Sequence, residues 1–435
     1  MRSEVIVIGG GLGGLATAAF LARGGRRVRV LEKATHVGGR AQSRVERGFV
    51  MNIGPHALYK AGPAEAALAE LGVAFSGGEP PTSGGYALFE GRARTLPMGP
   101  LSLLTTGLLP LGGKLELGRL LARMTRIDAS ALLDTTLAAW LDDPATGLAD
   151  ATARATIEAF ARLTTYTNAP DELSAGVMLA QFQHVAKHNV LYLDGGWQRL
   201  VDGLVAVARA AGVVVETGVR VSEIEVEAGA ARRVRLADGR AVEADAVIVA
   251  SSPAAARALL PNDASVATIA ERARPVEASC LGVALSSLPN PRATFLLGVD
   301  EPVYVSVHSG LAHLAPDGQA LVEIARYLAP GEAPAEEEDL LRALEALQPG
   351  ARERVVDTRF LPRMTVSHDT ARAAPGGLAA RPRVDAADTR GVWLVGDWVG
   401  DAGLLADASF ASARAAAEGV LAGANEASSA RGAAA

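Results

Sequence analysis

The chain has 435 residues, of which 49% are hydrophobic and 21% charged, a composition that excludes a collagen-like, coiled-coil or largely disordered protein. Its 42 Lys and Arg against 48 Asp and Glu leave a net charge of -6, which provides no basic field for binding nucleic acid. The single cysteine, Cys280, excludes an internal disulfide and a multi-cysteine metal site. Since the sequence also lacks a secretory signal, it predicts a cytoplasmic protein.

Residues 4–32 predict a strand, a glycine-rich turn, a helix and a second strand, the first βαβ unit of a doubly wound sheet. The turn has the pattern G-x-G-x-x-G, and an acidic residue ends the second strand, where it can bind ribose hydroxyls. The N-terminus of the helix then faces a pyrophosphate. The predicted dinucleotide contacts are Gly9, Gly11, Leu12, Gly13, Gly14, Glu32 and Lys33.

A second glycine pair follows at Gly38 and Gly39, with Arg40 directly after it. This element places further glycine backbone and a bidentate donor near the pyrophosphate, which favours FAD over NAD. With these motifs the chain resembles the flavin amine oxidase and phytoene desaturase superfamily, which also includes protoporphyrinogen oxidases. The resemblance extends over the whole chain.

The resemblance implies further contacts with FAD. The loop with Gly54, Pro55 and His56 would lie against the flavin ring, and the backbone of Val221 would contact the adenine. Near the C-terminus, the Gly396-Asp397 pair and a helix from about Ala408 would approach the ribityl chain and the pyrimidine. Because Cys280 lies far upstream of that helix, a cysteinyl link to the flavin is excluded, and we expect non-covalent FAD.

The segment 95–113 contains no charged residue, but Pro97, Pro100 and Pro110 make a simple membrane-spanning helix improbable. It is either an interfacial loop through which an apolar substrate enters from the inner membrane face, or a cap segment with its apolar residues turned inward. The absence of a flanking Lys and Arg cluster favours the cap segment, and peripheral membrane contact stays open.

The rest of the chain predicts an α/β protein with a Rossmann-type, doubly wound and discontinuous FAD-binding domain, interrupted by an α+β substrate domain with a helical cap. The FAD-binding domain takes residues 1–75, 195–260 and 376–424, the substrate domain 76–194 and 261–375, and a disordered tail 425–435. The strand-rich runs are 213–227, 233–253 and 390–398, and the helical patterns are 114–142, 145–163, 197–211 and 335–347.

His56 is the first candidate for a catalytic residue, because its loop is expected at the ring and histidine titrates near neutral pH. The alternative is a histidine that only bonds the flavin or the backbone. His184 and His188 share one helix face, as metal ligands can, but no third ligand accompanies them and the sequence predicts no metal site. Tyr166, Arg363 and His368 are further candidates for the pocket wall.

The predicted function is an FAD-dependent oxidoreductase that transfers hydride from an apolar or isoprenoid-like small molecule to flavin N5, with oxygen or a quinone as electron acceptor. An amine or amino-acid oxidase is the first alternative. Members of the family that oxidise amines commonly hold a lysine late in the chain, whereas Lys187 is the last lysine here. A flavin monooxygenase is the next alternative, and a protein that binds FAD without turnover is the alternative outside enzymes.

Overall fold

The computed structural model describes residues 5–432, with side chains as far as residue 423. Its strands are Val5–Ile8 (β1), Val28–Glu32 (β2), Ser43–Glu46 (β3), Phe49–Asn52 (β4), Leu58–Tyr59 (β5), Gly77–Gly78 (β6), Tyr86–Phe89 (β7), Arg92–Thr95 (β8), Val190–Leu193 (β9), Val214–Thr217 (β10), Val221–Glu227 (β11), Ala230–Leu236 (β12), Ala241–Glu243 (β13), Ala246–Val249 (β14), Val276–Leu285 (β15), Phe295–Gly298 (β16), Val303–Val307 (β17), Ala320–Leu328 (β18), Val355–Ser367 (β19) and Val392–Leu394 (β20). Its α-helices are Leu12–Arg23 (α1), Pro63–Leu71 (α2), Pro100–Thr105 (α3), Leu111–Met124 (α4), Leu137–Asp142 (α5), Ala151–Thr165 (α6), Ala175–His188 (α7), Gln198–Ala210 (α8), Pro253–Leu259 (α9), Ala264–Arg272 (α10), Glu337–Leu347 (α11) and Leu405–Gly432 (α12).

Five parallel strands form one sheet in the order β10-β2-β1-β14-β20, and this sheet is covered on both faces. Its central strands β1 and β14 are entirely apolar and buried, as expected for parallel strands covered on both faces. Helices α1, α2, α8 and α12 pack on one face, while the β11-β12-β13 sheet with α9 and α10 covers the other. All the strand-rich runs predicted from the sequence contribute to these two sheets.

A second large sheet has the order β19-β15-β18-β17-β16-β7-β8 and is antiparallel except between β16 and β7. The apolar face of α11 packs on β15, β17 and β18. Helices α4 to α7 form a separate core that reaches β7 and β16. The molecule is therefore a mixed α/β fold with parallel and antiparallel sheets, and part of it is a helical layer.

Two of the predicted helices are interrupted or begin later than the sequence pattern suggests. The run 114–142 contains α4 and α5 with a break between them, where the Asp128 carboxylate accepts from Ser130 N and the Thr136 hydroxyl caps α5. In the run 145–163, α6 begins only after Asp150, whose carboxylate accepts from Ala153 N at 2.8 Å. Side chains that cap a new helix also end the apolar periodicity before it.

The last helix, α12, continues to Gly432. This helix covers residues 425–432 of the segment for which the sequence predicted disorder, and the disorder itself stays a prediction. Residues 433–435 of the predicted tail lie outside the described residues.

The uncharged segment 95–113 forms the short helix α3, a turn and the start of α4. Leu108 and Leu109 point inward, whereas Leu101, Leu104 and Leu111 are 75%, 70% and 74% exposed. Inward and outward apolar residues therefore alternate along this segment. Among residues 5–432, no helix combines the length and the apolarity that crossing a bilayer requires.

Candidate cofactor and active site

A cavity of about 1290 Å³ extends from the N-terminus of α1 to the loop that carries His56. This volume exceeds the roughly 300–1,000 Å³ of most small-molecule sites, as a dinucleotide together with a substrate requires. The cavity lies at the carboxyl ends of the parallel strands, where open α/β sheets bind their ligands. Of the cofactor contacts predicted from the sequence, the following line it: Gly9, Gly11, Leu12, Gly13, Gly14, Glu32, Lys33, Gly38, Gly39, Arg40, Pro55, His56, Val221, Gly396 and Asp397.

The three glycines of the first turn have different surroundings. Gly9 has a φ of 111°, and a Cβ atom there would lie 2.3 Å from the Ala250 carbonyl oxygen. A Cβ on Gly14 would lie 2.0 Å from the Gly9 carbonyl oxygen, so this glycine allows α1 to pack against β1. A Cβ on Gly11 would meet no protein atom within 4 Å. The open space beside Gly11, at the helix N-terminus, fits a pyrophosphate.

Backbone N–H groups hold the Glu32 carboxylate at the end of β2. Oε2 accepts from Gly10 N at 2.7 Å, and Oε1 accepts from Ala34 N at 2.8 Å. The second glycine pair is tied to the same turn, since Gly38 N donates to the Gly10 carbonyl at 2.7 Å. A carboxylate oxygen has further acceptor capacity, so Glu32 can still bind ribose hydroxyls from this fixed position.

Arg40 and Asp397, both predicted to contact the cofactor, are paired with each other. Arg40 Nη1 donates to Asp397 Oδ2 at 2.8 Å and to the Val366 carbonyl at 2.7 Å. His368 Nδ1 donates to Asp397 Oδ1 at 2.8 Å. Burial of Asp397 opposes its charge, but the Arg40 guanidinium and His368 hold the pKa of this carboxyl well below its usual range. The three side chains form a rigid group in the cavity wall.

His56 faces the cavity from the loop after β4. Its Nδ1 lies 2.9 Å from the Gly54 carbonyl, which can only accept, so Nδ1 carries the proton. Its ring contacts Trp197, with ring centroids 4.8 Å apart. Burial lowers the pKa of His56 to about 4, and the Arg40 guanidinium adds to this effect. At neutral pH the imidazole is therefore uncharged, with an unprotonated Nε2.

Beyond His56 the wall is aromatic and aliphatic. Tyr166, in the left-handed conformation at the C-terminus of α6, donates its hydroxyl to the Pro55 carbonyl at 3.5 Å. Tyr59 donates to the Thr164 carbonyl at 3.0 Å, which connects β5 with α6. The other apolar members of this part of the wall are Ile53, Ala57, Trp197, Leu361, Met364 and Leu405. We call these residues together with Tyr59 and Tyr166 the apolar wall.

Two of the residues predicted to contact the cofactor, Gly54 and Ala408, lie outside the cavity lining. Gly54 is not in the cavity lining, because it packs behind the loop, where a Cβ would lie 3.0 Å from Cys280 Sγ. Ala408 is fully buried, and its backbone N donates to the Leu404 carbonyl oxygen at 3.4 Å. The neighbours on the cavity side of α12 are Leu405, Ala406 and Ser409.

The remaining candidates have the following surroundings. Tyr166, Arg363 and His368 all line the cavity. The Arg363 guanidinium is engaged by Glu277. His184 lies outside the lining, and its Nε2 bonds to the Lys60 carbonyl at 2.8 Å.

Sequence reasoning missed much of the wall. Strand β19 supplies a continuous stretch, and the turn after β14 supplies another. Neither has a glycine motif, and only the fold brings them to the cavity, since β19 is the edge strand of the seven-stranded sheet and β14 lies between β1 and β20. Together with residues near β11, β12, α9 and β20, the lining residues that sequence reasoning missed are Val219, Arg220, Ser222, Arg235, Leu236, Ala237, Gly239, Ala250, Ser251, Ser252, Ala255, Ala258, Leu259, Pro362, Thr365, Val366 and Val395.

Comparison with curated proteins gives local matches. A phytoene desaturase of Cercospora nicotianae is 45% identical over 71 residues, 16% of this chain and 11% of that protein. A 4,4'-diaponeurosporene oxygenase of Staphylococcus aureus is 41% identical over 58 residues, 13% of this chain and 12% of that protein. The matched parts thus span about a tenth of the length of these relatives.

Solved structures are similar over nearly the whole chain. An oxidoreductase of Methanosarcina mazei has a TM-score of 0.73 and 21% identity, covering 95% of this chain and 100% of its own. A putrescine oxidase bound to putrescine has a TM-score of 0.74 and 19% identity, covering 97% of this chain and 99% of its own. These likenesses show the shared fold. The sequence profile described as flavin containing amine oxidoreductase matches residues 12–421, and the chain therefore belongs to this family of flavin-dependent oxidoreductases.

Proposed function

We propose that the protein is an FAD-dependent dehydrogenase or desaturase that removes hydride from an apolar or isoprenoid-like small molecule. FAD is held non-covalently, and oxygen or a quinone accepts the electrons. In this proposal the predicted domain division applies, with a Rossmann-type FAD-binding domain around the parallel sheet and a substrate domain built on the seven-stranded sheet. The names of the phytoene and 4,4'-diaponeurosporene relatives agree with an isoprenoid-like substrate.

The observation that carries the substrate class is the composition of the cavity beyond His56. The apolar wall offers aromatic rings and aliphatic side chains, which favour an apolar ligand. Among the described residues that line the cavity, the carboxylates are Glu32 and Asp397. Glu32 accepts from two backbone N–H groups, and Asp397 is paired with Arg40 and His368. A substrate ammonium group would therefore find no unengaged carboxylate in this wall.

The residues present fit FAD, since an open turn at Gly11, a carboxylate at Glu32 and the loop with His56 all line the same cavity. When bound, FAD supplies an electrophilic N5 that accepts hydride. The helix N-terminus of α1 would hold the pyrophosphate, and the first turn of α12 would face the flavin. The apolar wall orients the substrate and excludes water. His56 Nε2, unprotonated at neutral pH, can accept a proton released from the substrate.

Anaerobic reduction of the purified, FAD-loaded protein tests the proposal. We expect the oxidised-flavin absorbance to bleach after addition of an isoprenoid extract in detergent, and to persist with a pool of amines and amino acids. Bleaching by amines alone would replace the proposal with an amine oxidase. Bleaching only after addition of NADPH would favour the flavin monooxygenase, and no bleaching with any class would favour FAD binding without turnover.

His56 should make the stability of the protein fall in mild acid. The unfolded chain protonates this histidine below its ordinary pKa of 6.5, whereas the folded protein does so only near 4. The wild type should therefore lose about 1–2 kcal/mol more of its free energy of unfolding between pH 7 and pH 5 than His56→Gln does. Urea unfolding at both pH values measures this difference. An identical pH dependence in the two proteins would show that His56 titrates normally.

The exposed leucines of α3 and α4 support peripheral membrane contact in this proposal. Leu101, Leu104 and Leu111 are exposed on the same short segment, and Leu115 is 52% exposed. Isolated exposed leucines are ordinary, but adjacent ones mark contact surfaces. The triple variant Leu101→Ser, Leu104→Ser and Leu111→Ser should lower the fraction that sediments with phosphatidylcholine and phosphatidylglycerol vesicles by roughly tenfold or more.

The control for this experiment is Val45→Ser, which removes an equally exposed apolar side chain, 71% accessible, from strand β3. Its sedimentation should equal that of the wild type. If the wild type itself stays in the supernatant, the leucines serve another purpose and the substrate does not come from a bilayer.

A further inference from the structure

A buried carboxylate, Asp407, lies in the first turn of α12 and is only 5% exposed. Its Oδ1 accepts from the backbone N of Ala64, in the first turn of α2, at 2.9 Å. Two glycines enclose the side chain, since a Cβ on Gly62 would lie 2.4 Å from Asp407 Oδ2 and a Cβ on Gly403 would lie 2.6 Å from Asp407 Cβ. The first turns of α2 and α12 are thus joined through this carboxylate.

Asp407 lies behind the wall of the FAD cavity and is not part of the lining. Leu405, Ala406 and Ser409, which flank it in the same helix, line the cavity on this side. A helix with its side chains is roughly 10–12 Å wide, so the carboxylate lies within about that distance of the cavity. A group at this distance does not contact the cofactor, but its charge acts through the protein, which screens charges less than water does.

The negative charge of Asp407 lies where two helix N-termini meet. The first turn of α12 has the positive end of its helix dipole there, and α2 directs a backbone N–H at the same carboxylate. Asp407 therefore cancels part of the positive potential that the first turn of α12 would otherwise present to the cavity. An asparagine has almost the same shape and can accept the same hydrogen bond, so packing does not explain a carboxylate here. Because a buried charge is unfavourable, the charge itself is the property that sets Asp407 apart.

The titratable groups that face Asp407 are Glu65 on α2, His184 on α7 and Tyr59 on β5. Burial raises the pKa of Asp407 to about 6, and Glu65 adds to this effect, whereas the Ala64 N–H and His184 oppose it. Asp407 is therefore mostly charged at pH 8 and mostly neutral at pH 5.

We propose that Asp407 makes the flavin harder to reduce, because it holds a negative charge in the first turn of the helix that faces the flavin. This inference rests on the FAD binding proposed above. Reduction by two electrons and one proton gives the flavin one additional negative charge, which the charge of Asp407 repels. Asp407 acts through α12 and is thus a positioning residue. Its charge favours the transfer of electrons from the flavin to the acceptor over their removal from the substrate.

Equilibration of the FAD-loaded protein with a reference dye of known midpoint potential tests the proposal without any substrate. At pH 8 and a fixed ratio of reduced to oxidised dye, the ratio of reduced to oxidised flavin should be about three- to tenfold higher in Asp407→Asn than in the wild type. At pH 5 the two proteins should nearly agree, because the wild-type carboxyl is then protonated. Asp401→Asn removes an exposed carboxylate from the loop before α12 and is the control, which should match the wild type at both pH values.

Equal flavin reduction in Asp407→Asn and the wild type at pH 8 would overturn the inference. A difference of the same size at pH 5 and pH 8 would also overturn it, because altered packing and not charge would then be the cause. Asp407→Ser removes the charge with a smaller side chain and should show the same shift, which keeps the test conclusive if asparagine disturbs the turns at Gly62 and Gly403. A wild type that binds no FAD would refute the proposed cofactor, whereas bound FAD with unchanged flavin reduction refutes only the role of Asp407.

Discussion

The variant Gly11→Ala should lose FAD affinity by roughly tenfold to a hundredfold while it folds almost normally. An added methyl group at Gly11 meets no protein atom within 4 Å, and the backbone φ of -76° suits alanine. The methyl instead occupies the space where the pyrophosphate would approach the N-terminus of α1. Loss of one charge-assisted hydrogen bond to a phosphate accounts for the expected change. Flavin fluorescence titration of the apoprotein measures the affinity.

Gly14→Ala is the matched variant in the same turn, and it should behave differently. Its Cβ would lie 2.0 Å from the Gly9 carbonyl oxygen, so α1 must move away from β1. We expect the free energy of unfolding of the apoprotein to fall by about 1–3 kcal/mol, against less than about 1 kcal/mol for Gly11→Ala. If Gly11→Ala binds FAD like the wild type, the turn does not face the pyrophosphate and the proposed cofactor site is wrong.

Asp397→Asn should lower the free energy of unfolding by about 2–3 kcal/mol near pH 7. The buried carboxylate bonds Arg40 and His368, and its loss leaves both without a negative partner. Removing one partner of a fully buried ion pair usually lowers the free energy of unfolding by more than this. We expect a loss at or below the lower end of that range, because the Arg40 side chain is 36% exposed. Urea unfolding of the FAD-loaded protein and of the apoprotein measures the change.

The effect of Asp397→Asn should depend on pH in a defined direction. The pKa of Asp397 is lower in the folded protein than in the unfolded chain, so its stabilising contribution is complete above the unfolded value of roughly 3.9 and decreases as the pH falls below it. The difference between wild type and variant should therefore shrink in acid. Asp385→Asn, in the exposed pair with Arg383, is the control and should leave stability nearly unchanged. A similar loss in both variants would contradict a special role for Asp397.

The N-terminal unit could be predicted from the sequence because its signals are local. The pattern that ends in Glu32 contains a strand, a helix start and a second strand within a short stretch. Each glycine of its turn has different surroundings, which explain why a glycine occupies that position. The family resemblance added the loop with His56 and the pair at Gly396 and Asp397, and these three residues line the cavity. Long apolar periodicity also predicted α8 and α11 closely.

Other parts of the site depend on pairings that the sequence does not display. Arg40 is bonded to Asp397 across almost the whole chain, whereas the glycine-pair motif assigned Arg40 to the cofactor and the family resemblance assigned Asp397 to it separately. The family resemblance placed the start of the last helix at about Ala408, whereas α12 begins at Leu405 and lines the cavity with Leu405, Ala406 and Ser409. The order of the seven-stranded sheet, and with it the contribution of β19, follows from long-range packing rather than from local pattern.

The parallel sheet also constrains when the protein can mature during synthesis. Its middle strand β1 is made first, yet β14 and β20, which complete the sheet on that side, are made after more than half and nearly all of the chain, respectively. Gly396 and the cavity side of α12 emerge later still. Contacts of such long sequence separation form slowly and leave apolar strands exposed in the meantime. FAD can thus be fully enclosed only once translation of the last helix is under way, so the nascent chain has to be protected from aggregation until then.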